Sequence, residues 1–279
     1  MRVKTVVGLA LVPVVIVSIL VMAAIINGTP GDDTLTDTPA NDVIRGFAGD
    51  DDITSNFRND RIDGGEDDDQ ILITSAGRAY VLGGPGNDVI VSAQTGSFSV
   101  QRLFGNDGDD NIVVETSPHG SRIDGGDGDD VIDVNNVLGN NVIYGGDGDD
   151  EIEAIDSTGN NKVYGGPGQD NITLGGGSNF VEPGEDADVV VAGTAATSRD
   201  IINIRVGDVP AGETEKITCT VDPGARTTII LKRSSLGSFP RGTPTQFDDS
   251  GVLTIIDPAT GGVYEIRRGP GTSCTVVRR

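Results

Sequence analysis

Eleven aspartates recur at one fixed place in a short repeat: Asp33, Asp42, Asp51, Asp60, Asp69, Asp88, Asp110, Asp130, Asp150, Asp170 and Asp188. Each is the sixth residue of a nine-residue segment whose fullest copies read Gly-Gly-x-Gly-x-Asp-x-Ile-x, as in Gly125 to Asp133. A carboxylate offers a hard anionic oxygen, the ligand type that calcium prefers. Glycine lets the backbone turn tightly and aim its carbonyl oxygens inward, beside that carboxylate. The chemistry on offer is therefore repeated coordination of a hard cation.

Other chemistry is poorly supplied. His119 is the only histidine, which excludes a two-His zinc motif such as H-E-x-x-H. Neither a G-x-S-x-G nucleophile elbow nor a G-K-[ST] phosphate loop is present. Carboxylate pairs that could serve a glycosidase are abundant, but every conspicuous Asp already has a place in the repeat. The chain is expected not to be an enzyme. A polysaccharide lyase or epimerase built on a solenoid is the alternative.

The repeat also dictates the elements that hold these residues. Copies start at Gly28, Asp37, Gly46, Ser55 and Gly64, then at Gly83, Gly105, Gly125, Gly145, Gly165 and Pro183. The early step of nine residues thus gives way to steps of 18 to 22. The eighth position is Leu35, Ile44, Ile53, Ile62, Ile71, Ile90, Ile112, Ile132, Ile152, Ile172 and Val190, an unbroken aliphatic column. A second column, Ile62, Val81, Leu103, Ile123, Ile143, Val163 and Val181, lies two residues before the later starts. Each coil then reads turn, strand, turn, strand, and stacked coils share one core. The neighbours Asp63, Leu82, Phe104, Asp124, Tyr144, Tyr164 and Glu182 face outward by the period-2 rule, with Tyr144 and Tyr164 in a stacking ladder or, alternatively, on a glycan-binding face. The far turns Gly139-Asn140-Asn141, Gly159-Asn160-Asn161 and Gly177-Ser178-Asn179 suit positive φ. Cation sites are therefore expected along one edge after residue 72, with Asp42 and Asp60 forming a short second ladder opposite. The fold expected is all-β: a right-handed parallel β-roll of 18- to 20-residue coils over 28–192, followed by a small antiparallel, sandwich-like β domain over 199–279.

Over residues 28–192 the sequence resembles the RTX (hemolysin-type) calcium-binding repeats of secreted bacterial proteases, lipases and toxins. The resemblance implies that sixth-position aspartates and backbone carbonyls of two stacked turns share each Ca2+. Carried over, it nominates Asp33, Asp51, Asp69, Asp88, Asp110, Asp130, Asp150, Asp170 and Asp188 on one edge. The accompanying turn positions are Gly83, Gly86, Gly105, Gly108, Gly126, Gly128, Gly146, Gly148, Gly166 and Gly168. This chain departs from the pattern in three ways. The copies at Asp37 and Ser55 lack the glycines, Asp67 replaces the fourth Gly in one copy and Pro183 the first Gly in another, and the longer coils drop the motif on one side. Such proteins usually carry a C-terminal secretion signal, whereas this chain starts with an export segment.

Charge agrees with the cation reading. Residues 1–198 hold 9 Lys or Arg against 34 Asp or Glu, a net −25, while residues 199–279 hold 11 against 9, a net +2. An acidic surface argues against a nucleic-acid partner. With no Trp and 4% aromatic residues, a large conventional core is not expected, so bound cations are needed to offset carboxylate repulsion. Residues 1–27 read as an export signal or a retained membrane anchor: Arg2 and Lys4 precede an apolar run from Thr5 to Ile26, with a small-residue cleavage site at Val21-Met22-Ala23. Membrane association is expected only through this segment. Cys219 and Cys274 are expected to pair outside the cell. The function expected is a secreted or surface-exposed, calcium-binding structural or adhesive protein. The alternative is an extracellular protein that binds or modifies polysaccharide, and an extracellular glycan or surface matrix is the candidate partner.

Overall fold

The computed structural model describes residues 22–278, apart from 58, 75–76, 94–99, 116–119, 135–139, 156–158, 193–198, 206, 220–225, 233–237, 242, 244 and 270–272. His119, Gly139 and most of the N-terminal segment lie outside the described residues. No helix occurs among those described, and the chain forms two 12-stranded sheets between which successive strands alternate from Ile25–Asn27 to Arg226–Lys232. Each coil contributes one strand to each wall, which is the parallel β-solenoid that the repeat demands.

The register follows the two aliphatic columns. In one sheet Ile44, Ile62, Val81, Leu103, Ile123, Ile143, Val163 and Val181 are stacked partners. In the other, Leu35, Ile53, Ile71, Ile90, Ile112, Ile132, Ile152, Ile172 and Val190 do the same. Except for Leu35 at the N-terminal end, these side chains are at most 1% exposed. Alternation puts them inside and their neighbours outside, and β-branched residues suit the pleated wall.

The first coil begins earlier than expected. Ile25–Asn27 is a strand paired in parallel with Val43–Ala48, and Ile26 stacks on Ile44. The end of the apolar run therefore belongs to the roll, because hydropathy cannot separate the tail of an export segment from a core strand.

At the other end, the antiparallel pairing expected over 199–279 is found between Val252–Ile256 and Val263–Arg268. Arg199–Arg205, Thr214–Cys219, Arg226–Lys232, Val263–Arg268 and Ser273–Arg278 instead join the sheets in parallel and extend the solenoid. Ile202, Ile229 and Val276 continue one column, and Ile217 and Ile266 the other. β-Branched runs specify strands but not their direction. The direction here is set by the exposed end of the stack, and the antiparallel strand then covers one sheet edge, as a solenoid end requires.

Cys219 and Cys274 form a disulfide with Cα atoms 5.8 Å apart, 55 residues apart in sequence. It ties one wall to the other in the last coils. Closing a loop of that length is worth up to about 4 kcal/mol in the chain-entropy model, often less. Replacing both cysteines with serine should lower the urea midpoint of the C-terminal coils. An unchanged midpoint would show that packing alone holds this end.

Candidate metal centre

The sixth-position aspartates form an internal rail along one edge. The backbone N–H of each donates to Oδ1 of the equivalent Asp one coil further on, from Asp33 to Asp51 through Asp170 to Asp188, at 2.7 to 3.0 Å. From Asp51 to Asp188 these residues are at most 2% exposed. Their second oxygens, Oδ2 of Asp51, Asp69, Asp88, Asp110, Asp130, Asp150, Asp170 and Asp188, are buried with no hydrogen-bond partner. Asp33, at the open end, instead accepts the Thr29 N–H on Oδ2.

The glycine turn wraps those oxygens. A Cβ placed on Gly125 would lie 2.0 Å from Asp130 Oδ2 and 2.5 Å from the Gly145 carbonyl oxygen. The first positions Gly46, Gly64, Gly83, Gly105, Gly145 and Gly165 repeat this arrangement. The second and fourth positions, among them Gly86, Gly108, Gly126, Gly128, Gly146, Gly148, Gly166 and Gly168, have positive φ. Where glycine is replaced the conformation persists, at Phe47 (91°), Asp67 (78°), Asn106 (89°) and Asp186 (78°).

Gly146 combines both constraints, with φ of 139° and an added Cβ only 1.8 Å from the Gly126 carbonyl oxygen. Gly146→Ala should cost at least about 2 kcal/mol and raise the calcium concentration needed for folding. Gly31→Ala, where an added Cβ meets nothing within 4 Å, should leave it unchanged. Circular dichroism of the two variants makes the comparison.

Each turn thus joins one carboxylate oxygen to carbonyl oxygens. Among the described residues, no group of three or more Asp, Glu, His or Cys side chains converges as a metal cluster, so side chains alone do not form the site. Hard oxygens from backbone and carboxylate together fit calcium. Burial, with neighbouring carboxylates adding to it, pushes Asp110 up to about 8, Asp130 to about 7, Asp150 to about 6, Asp170 to about 9 and Asp188 to about 8. Asp69 rises to about 7 and Asp88 to about 6, again chiefly through burial. A carboxylate row so destabilised as an anion calls for a cation or for protons.

The fifth position makes a second, outer rail. Asp109, Asp129 and Asp149 are exposed, and Asp129 and Asp149 each donate a backbone N–H to Oδ1 of the residue one coil earlier, at 2.9 and 2.8 Å. Adjacent residues thus face opposite ways, and the two rails run in opposite senses.

The opposite edge has different chemistry. Asp42 and Asp60 stand there in register, with Asp42 N–H donating to Asp60 Oδ1 at 2.7 Å. Asp42 Oδ2 accepts from Thr38 N and Oγ1, and Asp60 Oδ2 accepts from Ser55 Oγ. Their second oxygens are therefore engaged, unlike those of the inner rail. Beyond them the rail passes to Ser121, Asn141, Asn161, Asn179 and Asp200. Asn141, Asn161 and Asn179 are not positive-φ turn residues, as composition suggested. They are buried, and their side-chain carbonyls accept the same coil-to-coil bond that Asp accepts opposite. Asparagine does this without charge, and the 20-residue spacing of Asn141 and Asn161 is the signal that could have revealed it.

On the outer wall the Tyr144 and Tyr164 rings stack 4.9 Å apart at 11°. Arg122 lies 4.4 Å from the Tyr144 ring, and Tyr164 contacts Phe180 at 6.1 Å. This is the outward stacking ladder. Glu182 pairs with Arg205 and with Lys232 Nζ at 2.9 Å, fastening the last repeat coil to the coils that follow.

Compared with known families, the chain matches the RTX calcium-binding nonapeptide repeat over residues 27–57, 55–72, 121–136, 138–154 and 155–190. No curated protein matches the chain significantly. Asp88 and Asp110 fall in the unmatched stretch, where spacing is irregular, yet both hold their places in the inner rail.

Proposed function

Because the repeat region of this chain belongs to the RTX calcium-binding nonapeptide-repeat family, we propose that the protein is a calcium-stabilised structural or adhesive component of the cell exterior. The observation that carries this reading is the row of eight buried, unpartnered Oδ2 atoms from Asp51 to Asp188. These oxygens and the turn carbonyls beside them would hold the ions, with Asp33, whose Oδ2 already accepts the Thr29 N–H, a weaker position at the open end. Bound calcium supplies the positive charge that the row lacks. The coils position each carboxylate through the backbone bond to Oδ1 and leave Oδ2 for the ion. Asp42 and Asp60 would bind more weakly, since their second oxygens already accept hydrogen bonds.

The N-terminal segment would direct export, by cleavage or as an anchor. Cleavage after Ala23 would leave the first strand whole, because Ala24 is, among the described residues, the first tied to the roll, its N–H donating to Asp42 Oδ1 at 2.7 Å. Intact cells treated with protease test this proposal. Cleavage within residues 28–192 is expected in chelator and protection in calcium. Resistance under both conditions contradicts an external, calcium-dependent roll.

A second reading, binding of an acidic polysaccharide, is favoured by one cavity. It measures about 600 Å³ and is lined by Arg61, Arg78, Arg102 and Tyr80 beside the carboxylates of Asp42 and Asp60, so arginines outnumber the acids there, and Arg61 lies 4.9 Å from the Tyr80 ring. A glycan array on the calcium-loaded chain should then show uronate or sulfate ligands that Arg102→Ala releases. A blank array removes this reading and leaves the structural one.

A further inference from the structure

The column of the inner rail continues in register where the repeat stops. Lys216 N–H donates to the Asp188 carbonyl at 2.7 Å, as Val189 does to Asp170 and Asn171 to Asp150. Val189 stands opposite Lys216 and Val190 opposite Ile217. Glu215 therefore occupies the column place one coil beyond Asp188, although the family match ends at residue 190.

Glu215 is 1% exposed and Asp188 0%. Glu215 Oε1 and Asp188 Oδ2 are both buried without a hydrogen-bond partner. Besides each other, the acidic groups acting on them are Asp208 and Asp257 for Glu215, and Asp208, Asp186 and Asp149 for Asp188. Arg205, the nearby base, is paired with Glu182 instead. Asp208 and Asp257 are already bonded: Arg205 N–H donates to Asp208 Oδ2 at 2.6 Å, and Gly207 N–H to Asp257 Oδ2 at 2.7 Å. One coil further on, the column place passes to Tyr264, whose hydroxyl lies 2.7 Å from the Arg205 carbonyl oxygen and 3.0 Å from Asp257 Oδ2. The rail thus ends on a neutral, satisfied group directly after Glu215.

Among the described residues neither carboxylate has a basic partner, and two adjacent buried carboxylates with free oxygens call for a cation or protons between them. We infer that Asp188 Oδ2 and Glu215 Oε1 hold a further calcium ion, at the seam between the last repeat coil and the C-terminal coils. The inference rests on the inner rail being a calcium ladder, and it adds a site where no nonapeptide motif exists. It gives the ion a second task, because this site joins the C-terminal coils to the roll.

The test is the calcium content of the full chain by native mass spectrometry, with amide exchange read on the same samples. Glu215→Gln keeps shape and removes charge. It should hold one ion fewer than the wild type and lose protection over 214–219, while 131–190 stay protected in calcium. An unchanged ion count overturns the inference and leaves the ladder standing. Loss of protection throughout 131–190 also overturns it, because the effect would not be local. A wild-type chain that binds no calcium removes the ladder reading first, and the seam site with it.

Discussion

Chelating calcium near neutral pH should unfold the repeat coils, with loss of most β-sheet signal and recovery when calcium is returned. Two carboxylates one coil apart, at about 4.8 Å, repel by about 3 kcal/mol at an effective dielectric of about 20. The inner rail repeats that juxtaposition from Asp33 to Asp188 with no basic residue in the row. The aliphatic columns that oppose it place few side chains per coil, against a conformational entropy cost of about 1–2 kcal/mol per ordered residue. Magnesium should substitute poorly, since its octahedral shell is less adaptable.

Protons should partly replace the ion. In chelator the seven rail groups from Asp69 to Asp188 titrate in the fold between about 6 and about 9, above the ordinary Asp value of about 4. The fold then binds more protons than the unfolded chain across that interval. The stability these groups contribute is fully present below about pH 4 and is lost as pH rises through about 6 to 9. Chelated protein should keep more β signal at about pH 5 than at about pH 8. Calcium-loaded protein should show the reverse trend, because calcium competes with those protons. Circular dichroism at both pH values, with and without calcium, decides; a chelated chain equally folded at both would contradict the charge argument.

The second large effect separates neighbours in sequence. Asp150→Ala removes one ligand oxygen and also the acceptor of the buried Asp130 N–H at 2.9 Å. An unsatisfied buried N–H alone costs about 1–3 kcal/mol, so the calcium midpoint should rise about tenfold or more. Asp149→Ala removes an exposed carboxylate and the acceptor of the Gln169 N–H at 2.7 Å. Water can replace that acceptor, so a shift of at most about 1 kcal/mol is expected. Calcium titrations of the two variants that shift equally would mean that the outer rail also coordinates.

The parts legible in the sequence were those that repeat. The Ile132 and Ile123 columns announce two walls because period 2 and coil length coincide there. Asp130 and its equivalents announce the rail because glycine flanks fix their register. The direction of the C-terminal strands was not legible, since Ile217 and Ile229 sit in runs that suit either pairing. Glu215 was hidden for a related reason: 27 residues separate it from Asp188, with no glycine turn to mark its place. Asn161 was misread because asparagine suits both a turn and a ladder, and only burial distinguishes them.

Calcium is expected on the inner oxygens of the rail and not on the outer ones. Anomalous diffraction from crystals grown in calcium tests it directly. A row of peaks about one coil, about 4.8 Å, apart is expected, each beside Oδ2 of an Asp between Asp51 and Asp188. Peaks confined to the exposed Asp109, Asp129 and Asp149, or an inner edge without any, would contradict it.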